Sequence, residues 1–319
     1  MKKYTLEEYV QILEDDNLLT SKNYSQDIAN KAVKKIAYNS NEVVQDTLFI
    51  CKGASFKEEY LDIAIAKGAF FYISEKNYHK SIPCIIVNNI QKALSLVANM
   101  QYNYPWKNMK LIGITGTKGK STTAYYVKYI VDEYLHDNGK TEAGIISSID
   151  TYDGKIKQES HLTTPESLEL QMHFNNAAKA KLQYMITEVS SQALKYGRLY
   201  GVNFDVGVFL NISEDHISPI EHMDFDDYFT SKLTIFNQCK IACVNLESDY
   251  VSRVLEAAQN SERLVTFGIN SNALGYMVEG ESNEAKLCSV FGTLGTAIPA
   301  ELFESYGTIR FVNMFPLVV

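Results

Sequence analysis

The sequence predicts an α/β protein: an N-terminal α/β unit over residues 1–107, then a central unit of P-loop type over 108–319, built on a mostly parallel sheet. Three observations carry this. Short apolar runs alternate with helix-period segments, the rhythm of strands covered by helices. The run Leu111-Ile-Gly-Ile-Thr-Gly-Thr-Lys-Gly-Lys-Ser-Thr-Thr123 reads as a strand, a glycine-rich turn and a helix start. The length of 319 residues exceeds one typical domain and fits two.

In the first unit, apolar runs place strands at Thr47 to Cys51, Ala69 to Ser74 and Cys84 to Val87, with helices at Lys57 to Lys67 and Gln91 to Tyr102. Asn103-Tyr-Pro-Trp-Lys107 reads as the linker. Strands follow at Met109 to Ile114, Glu142 to Ser147, Gln183 to Glu188, Asp205 to Asn211, Ile241 to Asn245 and Arg263 to Phe267. Ala124, Val127, Ile130, Val131 and Tyr134 recur at helical spacing, and a second helix is expected from Asp226 to Asn237. After Phe267-Gly268 the periodicity fades, so the unit is expected to be atypical or incomplete beyond about residue 270.

Bulk properties narrow the function. Hydrophobic residues at 46% and charged residues at 21% suit a globular core rather than disorder. A net charge of −8 gives no general attraction to nucleic acid, so a phosphate-bearing ligand must be held by local lysines and backbone N–H groups. The N-terminus lacks the apolar core of a signal peptide and no segment reaches the length of a membrane span, so a cytoplasmic protein is expected. The five scattered cysteines, none at zinc-like spacing, read as buried reduced thiols.

Gly113, Gly116 and Gly119 let the backbone aim successive N–H groups at phosphate oxygens, and Lys120 adds the charge. Ser121 stands where a P-loop hydroxyl ligates Mg²⁺, at the start of a helix whose dipole favours anions. The common G-x-x-x-x-G-K-[ST] template would put its first glycine at 114, which is Ile114, so the glycines here are spaced in threes instead.

In doubly wound sheets ligands gather at the carboxyl ends of strands, which draws attention to Glu188, Asn211 and Asn245. Glu188 reads as a Mg²⁺ ligand or a solvated strand end. His216 alone reads equally as a packed side chain or a ligand, and Lys232 alone as an ordinary helix lysine. No Asn-Lys-x-Asp guanine-reading segment follows the loop, which argues against a signalling GTPase.

Taken together, these residues resemble the Mur ligase family, the ATP-dependent enzymes that add amino acids to the peptide of the bacterial cell-wall precursor. The likeness runs from Tyr38-Asn-Ser-Asn-Glu-Val-Val-Gln-Asp-Thr-Leu-Phe-Ile-Cys-Lys-Gly53 through Thr115-Gly-Thr-Lys-Gly-Lys-Ser121, His161-Leu-Thr-Thr-Pro-Glu166 and Glu188-Val-Ser-Ser-Gln192. It continues in Asn211-Ile-Ser-Glu-Asp-His216, Tyr228-Phe-Thr-Ser-Lys232, Asn245 and Thr266-Phe-Gly268. Within the family the chain is most similar to members that add lysine as the third residue. Thr163-Thr-Pro-Glu166, Glu188-Val-Ser-Ser191 and Arg198 carry the third-residue likeness, and Asp215-His-Ile-Ser-Pro-Ile-Glu-His222 contributes to the lysine one.

The resemblance implies that Gly116, Thr117, Lys118, Gly119, Lys120, Ser121 and Thr122 hold the ATP phosphates, with Lys120 on the β/γ oxygens and Ser121 on Mg²⁺. Glu188 and His216 would complete the metal sites, and Lys232, carried as a carbamate, would hold a second Mg²⁺. These make Lys120, Glu188, His216 and Lys232 the implied catalytic set. Asn245 matches a nucleotide contact, Ser40 a uridine contact, and Thr163, Thr164, Ser190 and Arg198 precursor contacts. The implied small-molecule substrates are ATP, L-lysine and the UDP-linked muramoyl dipeptide, bound through its UDP by the N-terminal unit. The implied reaction is phosphoryl transfer to a precursor carboxylate and then acyl transfer to the lysine amine. A monomer without nucleic-acid or membrane partners is expected.

Two departures stand out: the family's Asp-Ser-Arg is Asn39-Ser-Asn41 here, and its third domain is expected to be absent. Two rivals share most of the signal. A folate-glutamate ligase of the same superfamily has the same loop without the uridine-binding unit, and a fragment that binds without turnover matches the unusual ending.

Overall fold

Thr5-Leu-Glu-Glu8 opens the first element. Thr5 Oγ1 accepts from the Glu8 N–H while the Glu8 carboxylate accepts from the Thr5 N–H, a reciprocal cap on α1 (Leu6–Asp15). The computed structural model describes residues 2–53, 55–215, 217–218, 221–268, 275–279, 285–289 and 292–293. They form two units: one of residues 1–107, 165–175 and 196–202, and one of the remainder.

The first unit continues through β1 (Leu19–Asn23), α2 (Gln26–Ala29), β2 (Lys35–Ala37), β3 (Thr47–Ile50), α3 (Glu58–Ala66), β4 (Ala69–Ser74), β5 (Cys84–Val87) and α4 (Ile90–Gln101). Its sheet has the order β1-β5-β4-β3-β2, parallel throughout except for the edge pair β1–β5. β3 is buried on both faces, as a parallel strand between helices must be. Leu6, Val10, Phe71, Ile85 and Leu94 belong to one core cluster, and Phe49, Leu61 and Tyr72 to another.

Two expectations are corrected here. The sequence reading gave 108–319 wholly to the second unit, but 165–175 and 196–202 belong to the first. The reason is buried bonding: Ser95 Oγ on α4 donates to the carbonyls of Arg198 and Tyr200, and Leu168 packs against the core around α1 and α4. The segment read as linker, Asn103 to Lys107, is packed. Its Trp106 indole donates to Asn99 Oδ1 at 2.7 Å.

The second unit is built from β6 (Lys110–Thr115), α5 (Lys120–Asp137), β7 (Gly144–Ile146), β8 (Asp150–Tyr152), β9 (Lys157–Glu159), α6 (Ser167–Lys179, of which 167–175 belong to the first unit), β10 (Tyr184–Glu188) and α7 (Ser191–Lys195). It goes on with β11 (Phe204–Phe209), α8 (Phe225–Leu233), β12 (Cys239–Asn245), α9 (Val251–Ala258), β13 (Arg263–Gly268), β14 (Gly275–Glu279), β15 (Ala285–Ser289) and β16 (Gly292–Thr293).

The sheet order is β16-β15-β14-β13-β12-β11-β6-β10-β7-β8-β9. From β14 to β7 every pair is parallel, and antiparallel strands extend both edges. Ile112, Ile114, Val127, Val131, Ile186 and Val208 fill the core between β6, α5 and their neighbours. The parallel centre and its glycine-rich turn agree with the fold read from sequence.

The expected helix from Asp226 to Asn237 is α8 followed by a 3₁₀ turn over Thr234–Gln238. Cys51, Cys84, Cys239 and Cys243 are buried free thiols. Among the described residues no helix is long and apolar enough to cross a membrane. The expectation about the chain beyond residue 270 falls mostly outside the described residues.

Candidate functional site

β6 lies between β10 and β11 at the centre of the sheet, so the chain leaves it where strand order reverses and a crevice opens. Thr115 ends β6, and its hydroxyl donates to the Val189 carbonyl at 2.8 Å, tying the loop to the end of β10. Gly116 follows at φ 154°, where a Cβ would stand 2.9 Å from Leu210 Cβ, and Gly119 at φ 82° turns the chain into α5. Only glycine meets both demands without strain. No side chain caps α5, so its first-turn N–H groups, which lack intrahelical partners, face the loop cavity with the positive end of the helix dipole.

The loop is held by Asn211, just beyond β11. Asn211 Oδ1 accepts from the Thr117 and Lys118 N–H groups at 3.1 and 2.9 Å, and Asn211 Nδ2 donates to the Lys118 carbonyl at 3.1 Å. Thr117 Oγ1 accepts from the Ser213 N–H and from the buried Tyr228 hydroxyl, at 3.0 and 3.1 Å. Lys118 pairs with Asp215 at 2.8 Å.

Two lysines converge on one carbonyl. Lys120 Nζ donates to the Gly116 and Thr117 oxygens at 3.0 and 3.1 Å, and Lys232 Nζ, 1% exposed, donates to the same Gly116 oxygen at 2.8 Å. Burial, and then the nearby Lys120 charge, push the Lys232 amine well below the ordinary lysine range. Burial also lowers Lys120, against the pull of Glu188 and Asp215. A cationic pocket with neither ammonium matched by a carboxylate in contact is costly as it stands and suited to an anion.

Glu188 is fully buried at the end of β10, in register with Ile114 of β6. Its Oε1 accepts from the Ser148 N–H at 3.0 Å, and Ser148 Oγ in turn lies 2.9 Å from Ser121 Oγ. Glu188 Oε2 is buried without a hydrogen-bond partner, and burial raises the carboxyl above its ordinary range. An orphaned carboxylate oxygen beside a P-loop serine fits a hard cation that takes its remaining ligands from phosphate and water. No cluster of three or more His, Cys, Asp or Glu gathers among the described residues, and His216 lies outside them.

The other expected contacts divide between the units. In the second, Thr164 Oγ1 donates to the Glu188 carbonyl at 2.8 Å and accepts from the Ser190 N–H at 3.0 Å, while Ser190 Oγ accepts from the Ala193 N–H at 3.1 Å. Both hydroxyls thus shape the chain after Glu188, and Thr163 adjoins them half-buried. Asn245 Nδ2 donates to the Leu210 carbonyl at 2.8 Å and its Oδ1 accepts from the Glu247 N–H at 2.9 Å, bracing the ends of β11 and β12.

In the first unit, Ser40 is buried in a 3₁₀ turn that Asn39 caps by accepting from the Asn41 N–H at 2.9 Å. The Asn-Ser-Asn departure thus builds its own turn. Arg198 Nε lies 3.0 Å from Glu166 Oε1, and Glu166 also pairs with Lys52. The three line a small cleft of that unit with Ser167 and Tyr196. Sequence reasoning assigned no role to Ser148, Glu166, Lys52 or Tyr228. Their importance comes from partners 27 to 114 residues away, a signal no local pattern carries.

Residues 114–302 match the family described as Mur ligase middle domain. The chain is 40% identical over 292 residues to a UDP-N-acetylmuramoyl-L-alanyl-D-glutamate–L-lysine ligase of Streptococcus agalactiae, a match covering 87% of this chain and 58% of that protein. It is 43% identical over 242 residues to the ligase of the same name from Enterococcus faecalis, covering 75% of this chain and 46% of the relative. The chain thus spans about half the length of these relatives.

Among solved structures, a UDP-N-acetylmuramoyl-L-alanyl-D-glutamate–2,6-diaminopimelate ligase shares the fold with a TM-score of 0.74 at 20% identity, over 93% of this chain and 60% of that one. A MurF ligase from Thermotoga maritima in complex with ADP superposes with a TM-score of 0.50 at 17% identity, over 83% of this chain and 58% of that one.

Proposed function

The chain belongs to the Mur ligase family, and on that premise we propose that it forms the nucleotide- and precursor-binding part of a ligase that uses ATP to join L-lysine to UDP-N-acetylmuramoyl-L-alanyl-D-glutamate. The observation that carries the reading is the convergence of Lys120 and Lys232 on the Gly116 carbonyl, with the orphaned Glu188 Oε2 on the adjoining strand. An anion that brings its own counter-cation satisfies all three groups. ATP with Mg²⁺ is such a ligand, and the ADP of the Thermotoga maritima structure supports the choice.

In this reading Gly116 to Thr122 cradle the phosphates, and Lys120 exchanges its carbonyl partners for β/γ oxygens. Ser121 and Glu188 would hold Mg²⁺, and the family likeness implies His216 as a further metal ligand. When bound, the ion neutralises charge on the transferring phosphoryl group. Lys232 is the carbamylation site: burial and then Lys120 make its amine lose its proton more readily, and the free amine attacks CO₂, forming an N–C bond and releasing one proton. The resulting anion turns the repulsion between Lys232 and Lys120 into attraction.

The precursor carboxylate attacks the γ-phosphorus, ADP leaves, and the lysine amine displaces phosphate from the acyl carbon with loss of a proton. Charge stabilisation by the loop carries the first step, and no nucleophile from the protein is needed. Thr163, Thr164, Ser190 and Arg198 contact the precursor, Ser40 its uridine, and Asn245 the nucleotide. The first unit takes the UDP end, and the protein works as a cytoplasmic monomer on small molecules.

Calorimetry with ATP and Mg²⁺, then with the UDP-linked dipeptide, tests the reading, followed by an assay for lysine-containing tripeptide. Binding of both ligands is expected. Failure to bind ATP in the presence of Mg²⁺ removes the reading.

A further inference from the structure

Between α7 and α8 lies a buried Ser–His–Asp arrangement. His222 Nε2 stands 3.0 Å from Ser191 Oγ in hydrogen-bond contact, and His222 Nδ1 lies 3.4 Å from Asp227 Oδ2 without a hydrogen bond between them. The spacing is that of a hydrolytic triad, but Ser191 is 5% exposed and His222 0%, so no substrate carbonyl reaches the hydroxyl. Asp227 Oδ2 is also committed elsewhere, to Lys195 Nζ at 2.6 Å and the Met223 N–H at 3.0 Å. Burial pulls the imidazole below the ordinary histidine range, against the pull of Asp227.

The imidazole touches α7, which follows the Glu188 end of β10, and α8, which carries part of the phosphate site. Ser191 opens α7 three residues after Glu188, and Asp227 lies on α8 ahead of Tyr228 and Lys232. Tyr228 packs edge-on against the imidazole at 5.2 Å between centroids, donates its hydroxyl to Thr117 Oγ1 at 3.1 Å, and lies 4.7 Å beneath Lys232 Nζ. Backbone bonds add a third tie, since the Ser218 N–H donates to the His222 carbonyl at 3.1 Å.

We propose that His222 is a positioning residue for the phosphate site: hydrogen-bonded to Ser191 and packed against Tyr228 beside Asp227, it sets α8 so that Tyr228 and Lys232 meet the loop at Thr117 and Gly116. This rests on the nucleotide-binding reading above. The rival is a His222 that merely fills space between two helices. In that case its loss lowers stability and leaves the loop indifferent.

The test measures affinity for ATP in the presence of Mg²⁺, and the unfolding midpoint, in wild type, His222→Ala, His222→Gln and Val131→Ala. Val131 is a buried core residue of α5, so its truncation gives a stability loss remote from the α7–α8 bridge. His222→Ala is expected to weaken ATP binding about tenfold, the scale on which outer partners of ligand sites act. His222→Gln, whose amide reaches toward Ser191, should recover most of that loss, while Val131→Ala binds as wild type does.

ATP affinity unchanged in His222→Ala, or weakened no more than in Val131→Ala, overturns the proposal. If His222→Ala does not fold, Ser191→Ala takes its place, with about threefold weaker binding expected and wild-type affinity as the overturning result. Wild-type protein that binds no ATP defeats the nucleotide reading itself and this inference with it. A wild type that binds and loses affinity in Lys120→Ala but not in the His222 or Ser191 variants defeats this inference alone.

Discussion

Lys128 and Lys232 are both lysines taken largely out of water in the second unit, and they are treated in opposite ways. Lys128, on α5, has a side chain 13% exposed and reaches Asp132 at 2.5 Å and Glu142 at 2.8 Å. Burial would lower it, yet the two carboxylates hold it above the ordinary range. Lys232 has a carbonyl and another lysine for company, and burial drives it down. A structural lysine brings its counter-charge with it. A lysine buried without one has its charge balance completed by something from outside, and this separates the site from the scaffold more sharply than sequence spacing does.

The strongest way to break the comparison is to remove the other cation at the Gly116 carbonyl. Lys120→Ala should cost about 10²- to 10³-fold in ATP affinity or turnover, the scale of losing one preorganised donor in a phosphoryl-transfer site. The fold should persist, because Lys120 makes its hydrogen bonds to loop carbonyls rather than to the core. Titration calorimetry against wild type decides it. Equal affinities would leave the loop as a plain βα connection.

Stability should sharpen the comparison with effects of opposite sign. Lys128→Met leaves Asp132 and the half-exposed Glu142 without their cation, and after solvent screening should cost about 1–2 kcal/mol. Lys232→Met replaces an uncompensated buried amine with apolar bulk, and should raise stability by on the order of 1 kcal/mol while ending metal-dependent ATP binding. Denaturant midpoints for the pair are the measurement. A loss of stability in both would mean that Lys232 is compensated as a scaffold lysine is.

How much of this the sequence discloses follows from the range of the forces involved. The strands around the loop are legible within two residues because apolar runs and glycine turns are local signals. The Thr5-Leu-Glu-Glu8 cap of the first helix is a local signal of the same kind. The loop lysine and Glu188 stood out at strand ends. Lys232, which looked like any helix lysine, shows its nature only through Gly116, 116 residues earlier. Likewise Asn211 was visible as a strand end, but its grip on the loop amides required the fold.

The smallest expected effect concerns pH, and it tests the acidic half of the site. Burial raises the Glu188 carboxyl above its ordinary value of 4.5, so the folded protein holds that proton more firmly than the unfolded chain does. The sign follows from linkage. A group with a raised folded pKa stabilises fully below its unfolded pKa, and that contribution is lost as pH rises through the folded value. In ligand-free protein, stability should therefore decline from this source as pH rises past 4.5. In Glu188→Gln the decline should disappear, leaving a flatter profile that converges with wild type on the acid side. Adding Mg²⁺ and ATP should cancel the wild-type decline, because a cation at Oε2 favours the carboxylate, and should do nothing for the glutamine variant. Parallel profiles for the two proteins across this range, with and without ligand, would mean that Glu188 ionises as freely in the fold as in the unfolded chain, and the orphaned oxygen would then be no argument for a metal.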